Sequence, residues 1–291
     1  MPYAEWVYPS LSFILGAIVG SFLNVCIYRL PRELSLVLPR SYCPGCNAPV
    51  VWYDNVPVLS YLWLAGKCRS CRARIPVRYP VVELLTALLF FYLHRRAFTH
   101  PGVYDVGLLI PQLLLVCGLI VATFVDFDHR IIPDEITKTG MFAAPIFGAI
   151  YPAMQAPLAF SQLWEPRRAL DSSVEAVAAS LAGEAAGAGM IWGLGWFGAK
   201  LFKKDAMGFG DVKLMGMVGG FLGWQAAFLA FWIAPVLGLA YGIVQRIRTG
   251  DNYMPYGPFL SIAAFLVMVW HVEIVEAMMR DYPDMIRAWM S

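Results

Sequence analysis

From Leu11 to Ile27 the chain carries no charged residue, and apolar runs like this one recur along most of its length. Such runs constrain the fold more than any other feature. A stretch of about 18 or more apolar residues crosses a bilayer as a helix, because lipid offers no partner for an unpaired backbone group. We place spans at 9–29, 80–97, 107–126, 138–154, 174–199, 211–227, 229–245 and 258–279. Composition agrees. Of the 291 residues, 59% are hydrophobic and 14% charged, against about 25% charged in an ordinary soluble domain. The expected fold class is an all-α polytopic membrane protein of about eight transmembrane helices, with the lipid bilayer as its constant partner. The net charge of +2 is small, and we expect no nucleic-acid partner.

Charge placement sets the expected orientation. Between the first two spans lie Arg29, Arg32, Arg40, Lys67, Arg69, Arg72, Arg74 and Arg78, against Glu33 and Asp54. Cytoplasmic loops collect Lys and Arg, so this segment should be cytoplasmic and both termini outside. No basic residue precedes the first run, so it reads as a retained span rather than a cleaved signal. The expected organisation is a first transmembrane helix at 1–29, a small cytoplasmic domain at 30–79 and a membrane bundle at 80–291. The middle segment has prolines at 31, 39, 44, 49, 57 and 76 and is turn-rich. The connection at 155–173 reads as an external loop.

Four of the six cysteines form CPGC (Cys43, Cys46) and CRSC (Cys68, Cys71), with 21 residues between the pairs. Two such knuckles offer four thiolates, the donor set of a structural zinc site with no open position for water. The cytoplasm disfavours disulfides, and a segment this small gains folding free energy from a metal. Cys26 and Cys117 lie inside apolar runs and read as small buried hydrophobes.

Carboxylates at a membrane edge are costly and mark function. Asp126 closes the third span and Asp211 opens the sixth, so both should lie at the cytoplasmic face. Two carboxylates in one site hold one proton between them. One can then activate water while its protonated partner polarises a carbonyl, which is aspartic-protease chemistry. Gly208 and Gly210 in GFGD would give the backbone beside Asp211 unusual φ/ψ and let a substrate strand come close. The alternative for Asp211 alone is a helix N-cap. Asp128 and Asp134 read as caps or solvated loop residues.

Seven stretches, in order, resemble the type IV prepilin peptidase family, the leader peptidase/N-methyltransferases among the GxGD intramembrane aspartic proteases. They are GSFLNVCIYRLP (20–31), the CPGC and CRSC pairs, NVPVLSYLWLAGKC (55–68), RYPVVELLTALLF (78–90), DFDHRIIPDEIT (126–137), GFGDVKL (208–214) and PYGP (255–258). The resemblance implies that Asp126 and Asp211 are the proteolytic pair, with Gly208, Gly210 and Lys213 in the supporting loop. It implies cleavage of the basic leader of type IV prepilins, or of type II secretion pseudopilins, after a glycine at the cytoplasmic face of a bacterial inner membrane. It implies N-methylation of the new N-terminus with S-adenosylmethionine as donor, linked to the zinc segment through Gly66, Lys67 and Glu83. Two other readings stand beside it: a peptidase without methylation, and a polytopic transporter or assembly scaffold. The last would need a chain of ionisable groups through the bilayer, and the sequence has none.

Overall fold

The structure, a computed structural model, describes residues 4–99, 106–155, 172–203, 207–249 and 255–277. The predicted loop at 155–173 falls, apart from its ends, outside the described residues. Nine α-helices are described: α1 (Ala4–Arg29), α2 (Leu59–Trp63), α3 (Arg78–Thr99), α4 (Leu109–His129), α5 (Asp134–Ile150), α6 (Ser173–Phe202), α7 (Phe209–Leu222), α8 (Trp224–Thr249) and α9 (Gly257–Glu276). Among the described residues β-pairing is limited to two isolated bridges, Tyr42 with Pro49 and Lys67 with Arg74. Trp6–Arg32, Leu109–His129, Ser173–Leu201 and Trp224–Arg248 are long and apolar enough to cross a membrane. The protein is thus an all-helical membrane protein. It forms two compact units, Met1–Val125 and Asp126–Ser291.

In the first unit α1 packs along α3. Val7, Leu11, Ile14, Ile18 and Phe22 are exposed, a stripe at helical spacing suited to lipid. On the other face stand Gly16 and Gly20. A Cβ on Gly16 would lie 2.8 Å from the Ala87 Cα, and one on Gly20 would lie 2.8 Å from the Glu83 Cα. This is the small-xxx-small contact by which helices associate in lipid, where packing must replace the hydrophobic effect. After α1 the chain is held by Arg29, which is buried and donates to the carbonyls of Ser35 and Pro39 at 2.6 Å each.

The second unit is built round α7. Every residue from Leu214 to Phe221 is buried, and α5, α6, α8 and α9 all contact it. A helix that is apolar on all sides belongs inside a bundle. Its neighbours approach through glycines: Gly183 of α6 faces the Gly219 carbonyl, Gly187 faces the Met215 carbonyl, and a Cβ on Gly220 would lie 2.9 Å from the Ala144 Cβ of α5. The predicted span at 211–227 ends early, at Leu222. Gly223, at φ 84°, adopts a left-handed backbone, and α8 starts at the next residue. With 14 residues, α7 is about 21 Å long, shorter than the ~30 Å hydrocarbon core. Its protein surroundings make that length tolerable.

Candidate active site and candidate metal centre

In the second unit the two predicted aspartates come together at helix ends. Asp126 sits in the last turn of α4, which Arg130 terminates with a left-handed φ of 58°. Asp211 sits in the first turn of α7. The two side chains are near enough for their charges to interact. They are 7% and 9% exposed, so the surroundings are close to dry, where charges act most strongly.

Each carboxylate is fixed by one backbone donor. The Gly208 N–H donates to Asp211 Oδ2 at 3.2 Å. Asp211 is therefore not the N-cap itself; it stands three residues in and caps back onto Gly208. The Gly257 N–H, opening α9, donates to Asp126 Oδ2 at 3.0 Å. Charge-assisted bonds of this kind orient a carboxylate firmly.

Ile132 fills the space round these groups. A Cβ on Gly257 would lie 2.8 Å from Asp126 Oδ2 and 3.0 Å from Ile132 Cδ1, and one on Gly210 would lie 3.1 Å from Ile132 Cβ. The expected unusual φ/ψ at Gly208 and Gly210 is not found. Gly208 is extended at φ −74°, ψ 147°, Gly210 lies within α7, and neither has a positive φ. What requires glycine at 210 is space for Ile132.

Lys213 does not point at either aspartate as a partner. It pairs with Asp134, which also receives Lys138 at 2.7 Å. Asp134, predicted as a cap or solvated residue, thus ties the start of α5 to the start of α7. Gly257 and Ile132 were missed as site residues by sequence reasoning. Gly257 lies in PYGP, a motif whose residue types carry no chemistry by themselves.

In the first unit the Sγ atoms of Cys43, Cys46, Cys68 and Cys71 all lie within 4.8 Å of one another, and Cys43 and Cys71 are 3.8 Å apart. Thiolates about 2.3 Å from a tetrahedral zinc stand about 3.8 Å from each other, so the donor set fits that ion. Both knuckles share one backbone design. The Cys43 N–H donates to Ala48 and the Asn47 N–H to Cys43; likewise Cys68 to Ala73 and Arg72 to Cys68. Asn47 and Arg72 are both left-handed, at φ 56° and 60°. The backbone N–H groups of Cys71 and Ser70 hold the Cys68 thiol down to about 6. At Cys46 the Ala48 N–H pulls down, but the sulfur of Cys71, burial, and the sulfurs of Cys43 and Cys68 push the thiol up to about 11. A bound cation would release that crowding by taking all four as thiolates. Arg69, inside the second knuckle, grips Asp54 with two bonds of 2.6 and 2.7 Å and holds its carboxyl below the ordinary range.

A cavity of about 500 Å³ opens in the same unit, its wall including Asn24, Tyr28, Asp54, Tyr79 and Glu83. Its size falls in the range of small-molecule sites. Of the three methylation-linked candidates, Glu83 lines it; Gly66 and Lys67 do not. Glu83 Oε2 accepts from the Val58 N–H at 2.7 Å and so holds Val58 at a φ of 60°, strained for a β-branched residue. Gly66 also needs its φ of 67°, and a Cβ there would meet the Tyr61 hydroxyl oxygen at 2.9 Å. Lys67 is exposed.

Comparison with known proteins fits these two sites. A model of the bacterial peptidase A24 N-terminal domain matches residues 14–97, and one of the type IV leader peptidase family matches 113–243. A prepilin leader peptidase/N-methyltransferase of Aeromonas salmonicida is 33% identical over 93% of this chain and 94% of its own length. The chain belongs to the type IV leader peptidase family. Within that family, the Myxococcus xanthus prepilin leader peptidase/N-methyltransferase is 39% identical over 82% of this chain and 63% of its own length. The one from Pseudomonas aeruginosa is 31% identical over 91% of each. No solved structure matches the chain. The N-terminal match contains all four clustered cysteines, Asn24 and Glu83; the leader-peptidase match contains Asp126 and Asp211.

Proposed function

We propose that the protein removes the basic leader of type IV prepilins or pseudopilins and N-methylates the residue so exposed. The observation that supports the reading is that Asp126 and Asp211 are both buried, close enough for their charges to interact, and each held by one backbone N–H, in a chain of the leader peptidase family. The ionised aspartate takes a proton from a water whose oxygen bonds the scissile carbonyl carbon. The protonated aspartate donates to the carbonyl oxygen as charge builds on it. The C–N bond then breaks as the leaving nitrogen takes a proton from the aspartate that received it from water, while the other aspartate recovers its proton from a hydroxyl of the tetrahedral gem-diol as the new carboxyl group forms. Neither step needs a metal at this pair.

Cutting takes place after a glycine, at the cytoplasmic face of a bacterial inner membrane, with eight spans and both termini outside. In this reading 1–29 is the first span, 30–79 the cytoplasmic zinc domain linked to methylation, and 80–291 the peptidase bundle. Cys43, Cys46, Cys68 and Cys71 hold a structural Zn²⁺. Gly208, Gly210 and Lys213 support the Asp211 loop. Gly66 and Lys67 shape the loop over the methylation site, and Glu83 lines that site. S-adenosylmethionine supplies the methyl group when bound. The cavity wall offers groups of both signs for such a molecule: the Glu83 carboxylate and Asn24, whose buried Oδ1 has no donor, together with Arg29, Arg69, Arg74 and Arg78.

Intact-mass analysis of a prepilin co-expressed with the wild-type protein tests the reading. We expect loss of the leader together with the mass of one added methyl group. Leader loss without the increment would leave a peptidase alone, and an intact leader would remove both activities.

A further inference from the structure

One wall of the cavity in the first unit is left unexplained by folding. Asn24, on α1, is 1% exposed. Its Nδ2 donates to two carbonyls, those of Gly20 at 3.3 Å and Tyr79 at 3.0 Å. Turning the amide over would set oxygen against both carbonyls, so the network fixes its orientation. The oxygen then lies away from them, buried and without a donor. Such an acceptor is costly to leave unmet.

Glu83, one turn beyond Tyr79 on α3, is 8% exposed. Its carboxylate accepts from the Val58 N–H and from Ser21. No cation pairs with it among the described residues. A carboxylate has about four acceptor positions, so two bonds do not saturate it. Both residues line the same cavity of about 500 Å³. Gly20, which lies against the Glu83 Cα, keeps the two helices close. The two acceptors, one of them anionic, suit a cationic group rich in N–H, and the same lining also includes Arg29, Arg69, Arg74 and Arg78, so the ligand as a whole carries an anionic group as well.

We infer that Asn24 Oδ1 and the Glu83 carboxylate hold the α-ammonium group of a reactant in methyl transfer. The inference rests on the methyltransferase reading above. Two species bring such a group: S-adenosylmethionine, and the new N-terminus of a cleaved pilin, which gives one N–H proton to the Glu83 carboxylate before its nitrogen takes the methyl group. An α-ammonium has three donors, enough to satisfy Asn24 Oδ1 and Glu83 together. The size of the cavity admits either.

The test uses the full-length protein in detergent with its metal bound. S-adenosylmethionine is titrated by calorimetry, and methylation of a synthetic peptide with a pilin N-terminus is followed at saturating donor. Asn24→Ala and Glu83→Gln are compared with wild type. Glu83→Gln keeps the side-chain volume and an oxygen for the Val58 N–H, so it decides alone if Asn24→Ala does not fold. Metal content and prepilin cleavage report the fold.

If the donor is held, both variants raise its Kd by about tenfold or more. If the pilin amine is held, that Kd stays and the peptide KM rises by a like factor. Unchanged Kd and KM in a folded variant would overturn the inference. So would an effect of Asn24→Ala that Glu83→Gln does not share. A wild-type protein that neither binds the donor nor methylates the peptide would instead overturn the methyltransferase reading itself.

Discussion

Gly257→Ala should cripple cleavage while leaving the fold intact. The added Cβ would stand 2.8 Å from Asp126 Oδ2 and 3.0 Å from Ile132 Cδ1, where ordinary contact begins at 3.4 Å. The carboxylate or the start of α9 must therefore retreat by about 0.6 Å, the difference between 3.4 and 2.8. Either movement weakens the 3.0 Å bond from the Gly257 N–H. A hydrogen bond to a charged group contributes about 1.5–3 kcal/mol, and an active site is sensitive to displacements below an ångström. We expect the cleavage rate to fall about ten- to a hundredfold. Two controls grade the effect. At Gly210 the new Cβ meets Ile132 Cβ at 3.1 Å, and at Gly208 it meets Asp211 Oδ2 at an ordinary 3.4 Å. The order of loss should be Gly257→Ala, then Gly210→Ala, then Gly208→Ala. The assay is prepilin cleavage by purified protein, followed by gel mobility, with thermal unfolding as the check on folding. A Gly257→Ala protein that cuts at the wild-type rate, or a Gly208→Ala protein that loses as much, would refute the reasoning.

Other outcomes follow from the same geometry. Lys213→Ala should cost about 1 kcal/mol or less in stability, since its partner Asp134 is half-exposed; on that background Asp134→Asn should add only the loss of its exposed pair with Lys138. Gly183→Leu should wedge α6 from α7 at the Gly219 carbonyl and destabilise the second unit by about 1–3 kcal/mol or more, read as a lower Tm and lost cleavage. A strong chelator should strip one metal per chain and expose the amides of both knuckles to hydrogen exchange; unchanged exchange would dismiss a structural metal. The Asp54 carboxyl is held low by Arg69, so the pair stabilises above the ordinary aspartate value and that contribution fades as pH falls through the lowered one. The difference in loop protection between wild type and Arg69→Leu should therefore begin to shrink below about pH 4 and close once the pH is under the lowered value.

The helices were legible because apolar runs and their breaks carry their own physics. α3, α4, α6 and α9 begin and end within about three residues of the predicted limits. The break between α7 and α8 falls about five residues earlier than predicted, at Gly223, a single glycine in an apolar stretch. The cysteine cluster was legible because spacing and residue type together dictate a tetrahedral donor set. The glycines were less so. Gly16 and Gly20, or Gly183 and Gly187, stand at the spacing of close helix contacts, but which backbone they admit is decided by tertiary packing. Gly208 and Gly210 invited a conformational argument, and Gly210 proved to be a matter of room for Ile132. Asn24 sits in an apolar run as one polar residue among many hydrophobic ones. Its unpaired oxygen becomes visible only when α3 is laid beside it.

In the reading proposed above, Asp126 and Asp211 act as one catalytic pair. The direct measurement is single-turnover cleavage of a prepilin by Asp126→Asn and Asp211→Asn proteins, each shown to be folded and each assayed for methylation of a peptide already cut. Neither variant should release the leader, and both should methylate at the wild-type rate. Leader release at the wild-type rate by either one would contradict the reading, and would reduce that aspartate to a helix-end residue.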